Sequence, residues 1–289
     1  IMPILGPKRD IPAPDVNTNP QIMAWIADTV SMLQGYAVPE IVTGKPVILG
    51  GSLGRKEATG RGLAIATVEV LHRLGRSLAD TTVAVQGYGN VGSAAATILY
   101  EMGCRILALS DVSGGIFCQA GLDIPDVNRH VARHPLHLLE GYQAPGVEPI
   151  SNEALLTSDV DVLIPAALEH QIRADNAPAV QARIIVDGAT GPNTREADAI
   201  LTERNVIVVP DILANAGGVV VSYLEWVQDL QNYFWDESEV NDRLKTIMVR
   251  NLNEVWDYSQ AHQVPLRLGA TMLAVERVAT AISTRGLFP

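Results

Sequence analysis

The stretch Gly87-Tyr88-Gly89-Asn90-Val91-Gly92, with Asp111 nineteen residues beyond its last glycine, carries the clearest chemistry in this chain of 289 residues. Glycine at the first position permits a tight turn. At the second it lets backbone approach a phosphate, and at the third it lets a helix pack closely on a strand. A helix opening at residue 90 turns its free amides and positive dipole end toward that phosphate. A carboxylate at 111, ending a second strand, can accept hydrogen bonds from both hydroxyls of an adenosine ribose and would repel a 2′-phosphate. The set points to a dinucleotide. It favours NAD and leaves NADP possible, since the next basic residue downstream is Arg129. A structural turn followed by a capping aspartate would use the same residues, and related folds hold other adenosine cofactors.

Three more stretches can do chemistry. In Pro12-Ala13-Pro14-Asp15 the prolines stiffen the backbone before a carboxylate, as proton transfer requires; such an aspartate also serves as a turn former or helix cap. In residues 50–62, GGSLGRKEATGRG, Arg55 can clamp a carboxylate with paired hydrogen bonds and Thr59 can bond an amide. Solvated charge at a helix start is the plainer use. In residues 210–226, PDILANAGGVVVSYLEW, Asn215 lies beyond a strand end, where open α/β sheets bind ligands. Its amide can pair with a carboxamide, and Gly217-Gly218 allows close approach at a helix start; the loop can equally be a simple cap.

The elements that must position these residues follow from periodicity. Asn19-Pro20 reads as cap and first turn of a helix over 20–35, with Ile22, Trp25, Ile26 and Leu33 on one face. Residues 36–58 read as loop, and 59–75 as a helix stopped by Gly75. The period then shifts. Strands are expected at 82–86, 105–110, 162–165, 184–187 and 206–210, and helices at 90–102, 123–134, 194–204, 215–235, 238–262 and 270–284, with Pro265 and Gly269 marking the last break. Buried β-branched strands alternating with helices predict an α/β fold, a Rossmann-like, doubly wound and mostly parallel sheet with flanking helices.

A net charge of −11 argues against a nucleic-acid surface and an anionic membrane. No apolar run reaches the ~18 residues of a membrane helix. Cys104 and Cys118 form no metal-ligand spacing, so no metal site is expected, and reduced thiols in a cytoplasmic protein are the simplest expectation. The chain begins Ile1-Met2-Pro3, already in apolar, proline-rich sequence, and reads as the middle of a longer one. Three segments are expected: 1–45, the remnant of a substrate domain with a catalytic loop and helix; 46–265, a dinucleotide-binding domain; and 266–289, a C-terminal helix returning toward the substrate domain.

Taken in order, DIPAPDV, TGKP, GGSLGRKEATGRG, GYGNVG and PDILANAGGVVVSYLEW closely resemble the glutamate dehydrogenase branch of the amino-acid dehydrogenases, over essentially the whole chain. The resemblance implies oxidative deamination of L-glutamate to 2-oxoglutarate and ammonia with hydride transfer to NAD(P)+. It implies Asp15 as the catalytic proton carrier. Thr59 and Asn215 would contact the nicotinamide carboxamide, the turn from Gly87 to Gly92 the phosphates, and Ala166, Ala167 and Thr190 the cofactor. Ala13, Thr43, Arg55, Val219 and Ser222 would surround the substrate, with Ser222 meeting its distal carboxylate. Two residues depart from the pattern: His170, read as a helix-start residue, and Thr190, each where relatives carry Asn. The four lysines, Lys8, Lys45, Lys56 and Lys245, match none of the family's catalytic or substrate-gripping lysines. These residues alone are therefore expected to bind dinucleotide and turn over poorly. Relatives are commonly homo-hexamers, expected also of the full-length parent. A noncatalytic dinucleotide module acting through a partner chain and a branched-chain amino-acid dehydrogenase are the alternatives.

Overall fold

The computed structural model describes residues 2–15 and 17–286. They form two compact units, Ile1–Thr59 with Gly217–Ile247 and Gly60–Ala216 with Met248–Pro289. Both are discontinuous in sequence, a partition absent from a reading in three consecutive segments.

The larger unit is built on one seven-stranded sheet. Its strands are β1 (Thr82–Gln86), β2 (Arg105–Asp111), β3 (Gly114–Phe117), β4 (Glu148–Ile150), β5 (Val162–Pro165), β6 (Ile184–Val186) and β7 (Ile207–Val209), in the order β4-β3-β2-β1-β5-β6-β7. The five strands expected from the sequence pair in parallel; β3 and β4 pair antiparallel at one end. Alternate side chains feed two cores. Val83, Val85, Ile164, Ile184 and Val186 join one face, and Ala84, Leu163 and Ile185 the other. In β2 the alternation slips: Leu107 and Ala108 share a face because the register shifts there, as a β-bulge does. Helices α2 (Ala58–Arg73) and α3 (Asn90–Glu101) cover one face. Helix α4 (Ile124–Arg133) joins that face, and α5 (Asn152–Leu156) and α6 (Arg195–Glu203) cover the opposite one.

The smaller unit holds α1 (Pro20–Gln34) and α8 (Gly217–Gln231), which follows the one-turn α7 (Asp211–Ala214) of the larger unit. Asn19 caps α1 by accepting the Ile22 N–H at 3.0 Å, and Gly35 ends it in a left-handed conformation. The buried face of α1 matches expectation in part: Ile22 and Ile26 pack against the core. Met23, Ala24 and Val30 are buried with Val38, Ile41 and Val42, while Trp25 and Leu33 are exposed.

The helix expected over 215–235 stops at Gln231, because Asn232 turns left-handed with φ 50°. Helices α9 (Glu237–His262) and α10 (Leu266–Arg285) complete the chain. The last helix starts earlier than expected. Pro265 is its N-cap, and Gly269 lies inside it, where a Cβ would stand 1.9 Å from Ser259 Oγ. That glycine marks a close helix–helix approach, not a break. Among the described residues no helix is long and apolar enough to cross a membrane.

Candidate active site

The parallel strands bring the expected cofactor residues other than Thr59 to one rim. Gly87–Gly92 follow β1, Asp111 ends β2, Ala166 and Ala167 follow β5, Thr190 follows β6, and Asn215 follows β7 through α7. The strand order reverses between β1 and β5, with β2 on one side of β1 and β6 and β7 beyond β5. Ligands of open α/β sheets bind at such a reversal. There the backbones nearly touch: a Cβ on Gly87, whose φ is 90°, would stand 2.7 Å from Ala166 O.

The three glycines of the turn answer to different neighbours. A Cβ on Gly92 would stand 1.7 Å from Gly87 O, so packing of α3 on β1 demands glycine. A Cβ on Gly89 would meet no protein atom within 4 Å, and its φ of −83° suits any residue. Gly89 is also the N-cap of α3 and offers no side-chain cap, whereas Asn19, Asp123, Ser151 and Thr194 cap α1, α4, α5 and α6. The first intrahelical bond is Ser93 N to Gly89 O, at 3.0 Å. The amides of Asn90, Val91 and Gly92 are thus left for an outside acceptor. Gly89 and Asn90 are exposed. The Tyr88 side chain turns inward: its hydroxyl donates to Asn128 Oδ1 at 2.8 Å, and burial raises its pKa.

Asp111 is held before any ligand arrives. Its Oδ1 accepts from Ser113 N at 2.8 Å and Ser113 Oγ at 2.5 Å, and its Oδ2 from Leu139 N at 2.7 Å. A carboxylate has about four lone-pair sites, so capacity remains for a sugar hydroxyl. His170, expected at a helix start, instead sits in a left-handed turn with φ 54° and donates its N–H to Gly191 O at 2.9 Å.

Beneath the rim lie polar residues that local pattern did not mark. Gln86 Nε2 donates to Asn152 Oδ1 at 3.0 Å and Gln171 Oε1 at 2.8 Å. Asp187, Asp198 and Asp211 surround Arg267. Burial pushes the Asp187 carboxyl up to about 7, against the pull of Arg267. The partners stand 65 or more residues apart in most of these pairs, so no short motif could reveal them.

The smaller unit gathers the expected substrate residues. Ala13, Thr43, Val219 and Ser222 line one pocket of about 500 Å³, with Lys8, Arg9, Tyr223 and Trp226 among its other walls. Arg55 Nε donates to Ser222 Oγ at 3.0 Å; burial lowers the Arg55 pKa, against the raising effect of Glu225. Thr59 faces α8: a Cβ on Gly218 would stand 2.6 Å from Thr59 Oγ1. Asp15 is exposed and does not line the pocket. Thr18 Oγ1 accepts the Asp15 N–H and donates to Asp15 O, both at 2.6 Å, fixing the backbone there.

A buried ion cluster sets this loop. Lys45 Nζ donates to Glu225 Oε1 at 2.7 Å, Asp229 Oδ2 at 2.8 Å and Val42 O at 2.7 Å. Glu225 also accepts the Gly44 and Lys45 amides. Gly44, in turn, lies where a Cβ would stand 2.5 Å from Pro14 Cδ, one residue before Asp15. Burial raises the Asp229 carboxyl to about 6 although Lys45 pulls it down. The sequence shows TGKP as a motif but gives no hint of this role, because both acids lie about 180 residues away.

Comparison with known proteins bears on this arrangement. Residues 50–286 match the model of the Glutamate/Leucine/Phenylalanine/Valine dehydrogenase family, and residues 1–32 match the family's dimerisation domain. The chain is 52% identical over 287 residues to glutamate dehydrogenase A2 of Halobacterium salinarum, covering 99% of itself and 68% of that protein. It is 47% identical over 289 residues to the NAD-specific glutamate dehydrogenase A of the same organism, covering 100% of itself and 65% of that protein. The hetero-hexameric glutamate dehydrogenase from Thermus thermophilus, solved in a Leu-bound form, superimposes with a TM-score of 0.90 at 37% identity, covering 99% of this chain and 67% of that one. With family models matching both its N-terminal residues and most of the remainder, the chain belongs to the Glu/Leu/Phe/Val dehydrogenases.

Proposed function

We propose that this chain contributes to the oxidative deamination of L-glutamate to 2-oxoglutarate and ammonia, with NAD as the preferred cofactor and NADP possible. The observation that carries the reading is the convergence at one sheet rim of every residue expected to touch the dinucleotide, except Thr59 in the smaller unit. The relative named NAD-specific supports the cofactor. In this reading the amides of residues 90–92 receive the pyrophosphate where Gly89 leaves room for it. Asp111, already fixed by Ser113 and Leu139, receives the adenosine ribose. Asn215 pairs with the carboxamide, and Thr190 faces the cofactor. A dinucleotide held there would supply the hydride acceptor for oxidation at the substrate Cα.

The substrate occupies the pocket lined by Ala13, Thr43, Val219 and Ser222. Ser222 and Thr43 offer hydroxyls to its distal carboxylate, and Arg55 orients Ser222. An apolar residue at 222 would have favoured a branched-chain substrate. Asp15, on a backbone locked by Thr18, carries protons as water adds and ammonia leaves.

Calorimetry with NADH and steady-state assay with glutamate test this together. Residues 1–289 are expected to bind NADH, with glutamate-dependent NAD+ reduction near zero, since none of the four lysines resembles the family's catalytic lysine. Failure to bind NADH or NADPH at millimolar concentration contradicts the assignment. Rapid turnover contradicts the part given to the lysines.

A further inference from the structure

Thr190 and Asn215 sit on loops that follow different strands, and neither loop is stiff by its own composition. The first, 187–191, contains Gly188 and Gly191, and the second is the single turn of α7. Both must hold still if the two side chains are to meet one bound cofactor.

One guanidinium ties them. Arg267, in the first turn of α10, places Nη2 2.5 Å from Asp187 Oδ2, Nη1 2.9 Å from Asp211 Oδ1 and Nε 2.8 Å from Asp198 Oδ2. Asp187 begins the first loop and Asp211 opens α7. The other oxygen of Asp211 accepts the Gly191 N–H at 2.8 Å, directly beside Thr190. Asn193 Nδ2 donates to Asp187 Oδ1 at 3.0 Å from the far end of the first loop. The two terminal nitrogens of the planar fork thus hydrogen-bond carboxylates from two separate elements, and Nε stands within ion-pair distance of a third carboxylate without a hydrogen bond to it. A lysine ammonium, a single point of charge, does not span that spread. A cation in the first turn of a helix also opposes the helix dipole, and the fully buried Asp187 side chain is costly to leave unpaired. The arrangement makes sense only as a unit.

We propose that Arg267 is a positioning residue for the nicotinamide half of the dinucleotide site, fixing the loops that carry Thr190 and Asn215 relative to each other. The inference rests on the assignment of a dinucleotide to this rim. Arg267 acts through Asp187 and Asp211, which it holds by ion pairs, and through Gly191, which Asp211 holds in turn.

The test compares NADH with ADP-ribose, which keeps the adenosine and pyrophosphate and lacks the nicotinamide. Both are titrated into the wild-type chain and into Arg267→Met, Arg267→Lys and Asp211→Asn at pH 8, with the melting temperature of each recorded. Arg267→Met is expected to weaken NADH about tenfold or more while ADP-ribose changes less than about twofold. Arg267→Lys is expected to recover only part of the loss. Asp211→Asn is the milder variant, since an amide has one acceptor oxygen and cannot serve both Arg267 and Gly191; it is expected to weaken NADH about threefold with ADP-ribose unchanged. Equal loss of both ligands, or unchanged NADH affinity in folded Arg267→Lys and Asp211→Asn, overturns the proposal. A wild-type chain that binds neither ligand overturns the dinucleotide assignment instead.

Discussion

Two glycines of the phosphate turn look alike in sequence and have opposite reasons to exist. Gly92 is fixed by the protein's own packing, Gly89 by nothing in the protein. Substituting Gly92→Ala should therefore destabilise the fold by about 2 kcal/mol or more, by overpacking, as read from urea denaturation. Gly89→Asp should do the reverse. Aspartate is a good N-cap, so stability should hold or rise slightly, yet its charge would face a pyrophosphate. NADH affinity should fall by about a hundredfold, or 2.7 kcal/mol. Retained affinity in that variant would argue that no phosphate sits there. Asp187 makes a pH prediction. Its carboxyl is raised to about 7 in the folded chain, so between its ordinary value of about 3.9 and 7 the folded state keeps a proton that the unfolded state has released. Stability from this group falls as pH rises through that window. Melting temperatures from pH 4.5 to 7.5 should show a shallower decline in Asp187→Asn; an unchanged slope would assign the effect elsewhere.

At the scale of elements, the substrate loop depends on the buried Lys45 cluster. Lys45→Met leaves two acids buried without their cation and should cost about 3–5 kcal/mol, measured by chemical denaturation; a loss under about 1 kcal/mol would mean that water reaches the acids. The elements that could be read from sequence share one property. The parallel strands β1, β2, β5 and β6 are buried on both faces and so appear as apolar runs, β7 is apolar though only partly buried, and α1, α3 and α6 carry clear starts or stops. Those that escaped lack such a mark. β3 is GGIF, and β4 is EPI with Pro149 at a sheet edge, where proline is tolerated but hides the strand. In α10, Pro265 and Gly269 read as breakers, whereas proline caps and glycine packs. The phosphate turn and Asp111 were legible because their spacing is local. Lys45, Gln86 and Arg267 were not, since each finds its charged or polar side-chain partners at least 56 residues away.

For the whole molecule, α1 bears on assembly. Trp25 and Met32, seven residues apart and so on one helix face, are 61% and 72% exposed. Both fall within the segment matching the family's dimerisation domain. We expect this face to be covered between copies, so that Trp25→Glu lowers the oligomeric state in analytical ultracentrifugation; an unchanged state would place the interface elsewhere. The account as a whole turns on where a dinucleotide lies, and a crystal structure of the chain soaked with NAD+ tests that most directly. The predicted density puts the pyrophosphate on the amides of Asn90, Val91 and Gly92, the adenosine ribose on Asp111, and the carboxamide on Asn215, with Thr190 facing the cofactor. Density on any other surface, or a ribose turned away from Asp111, would contradict it.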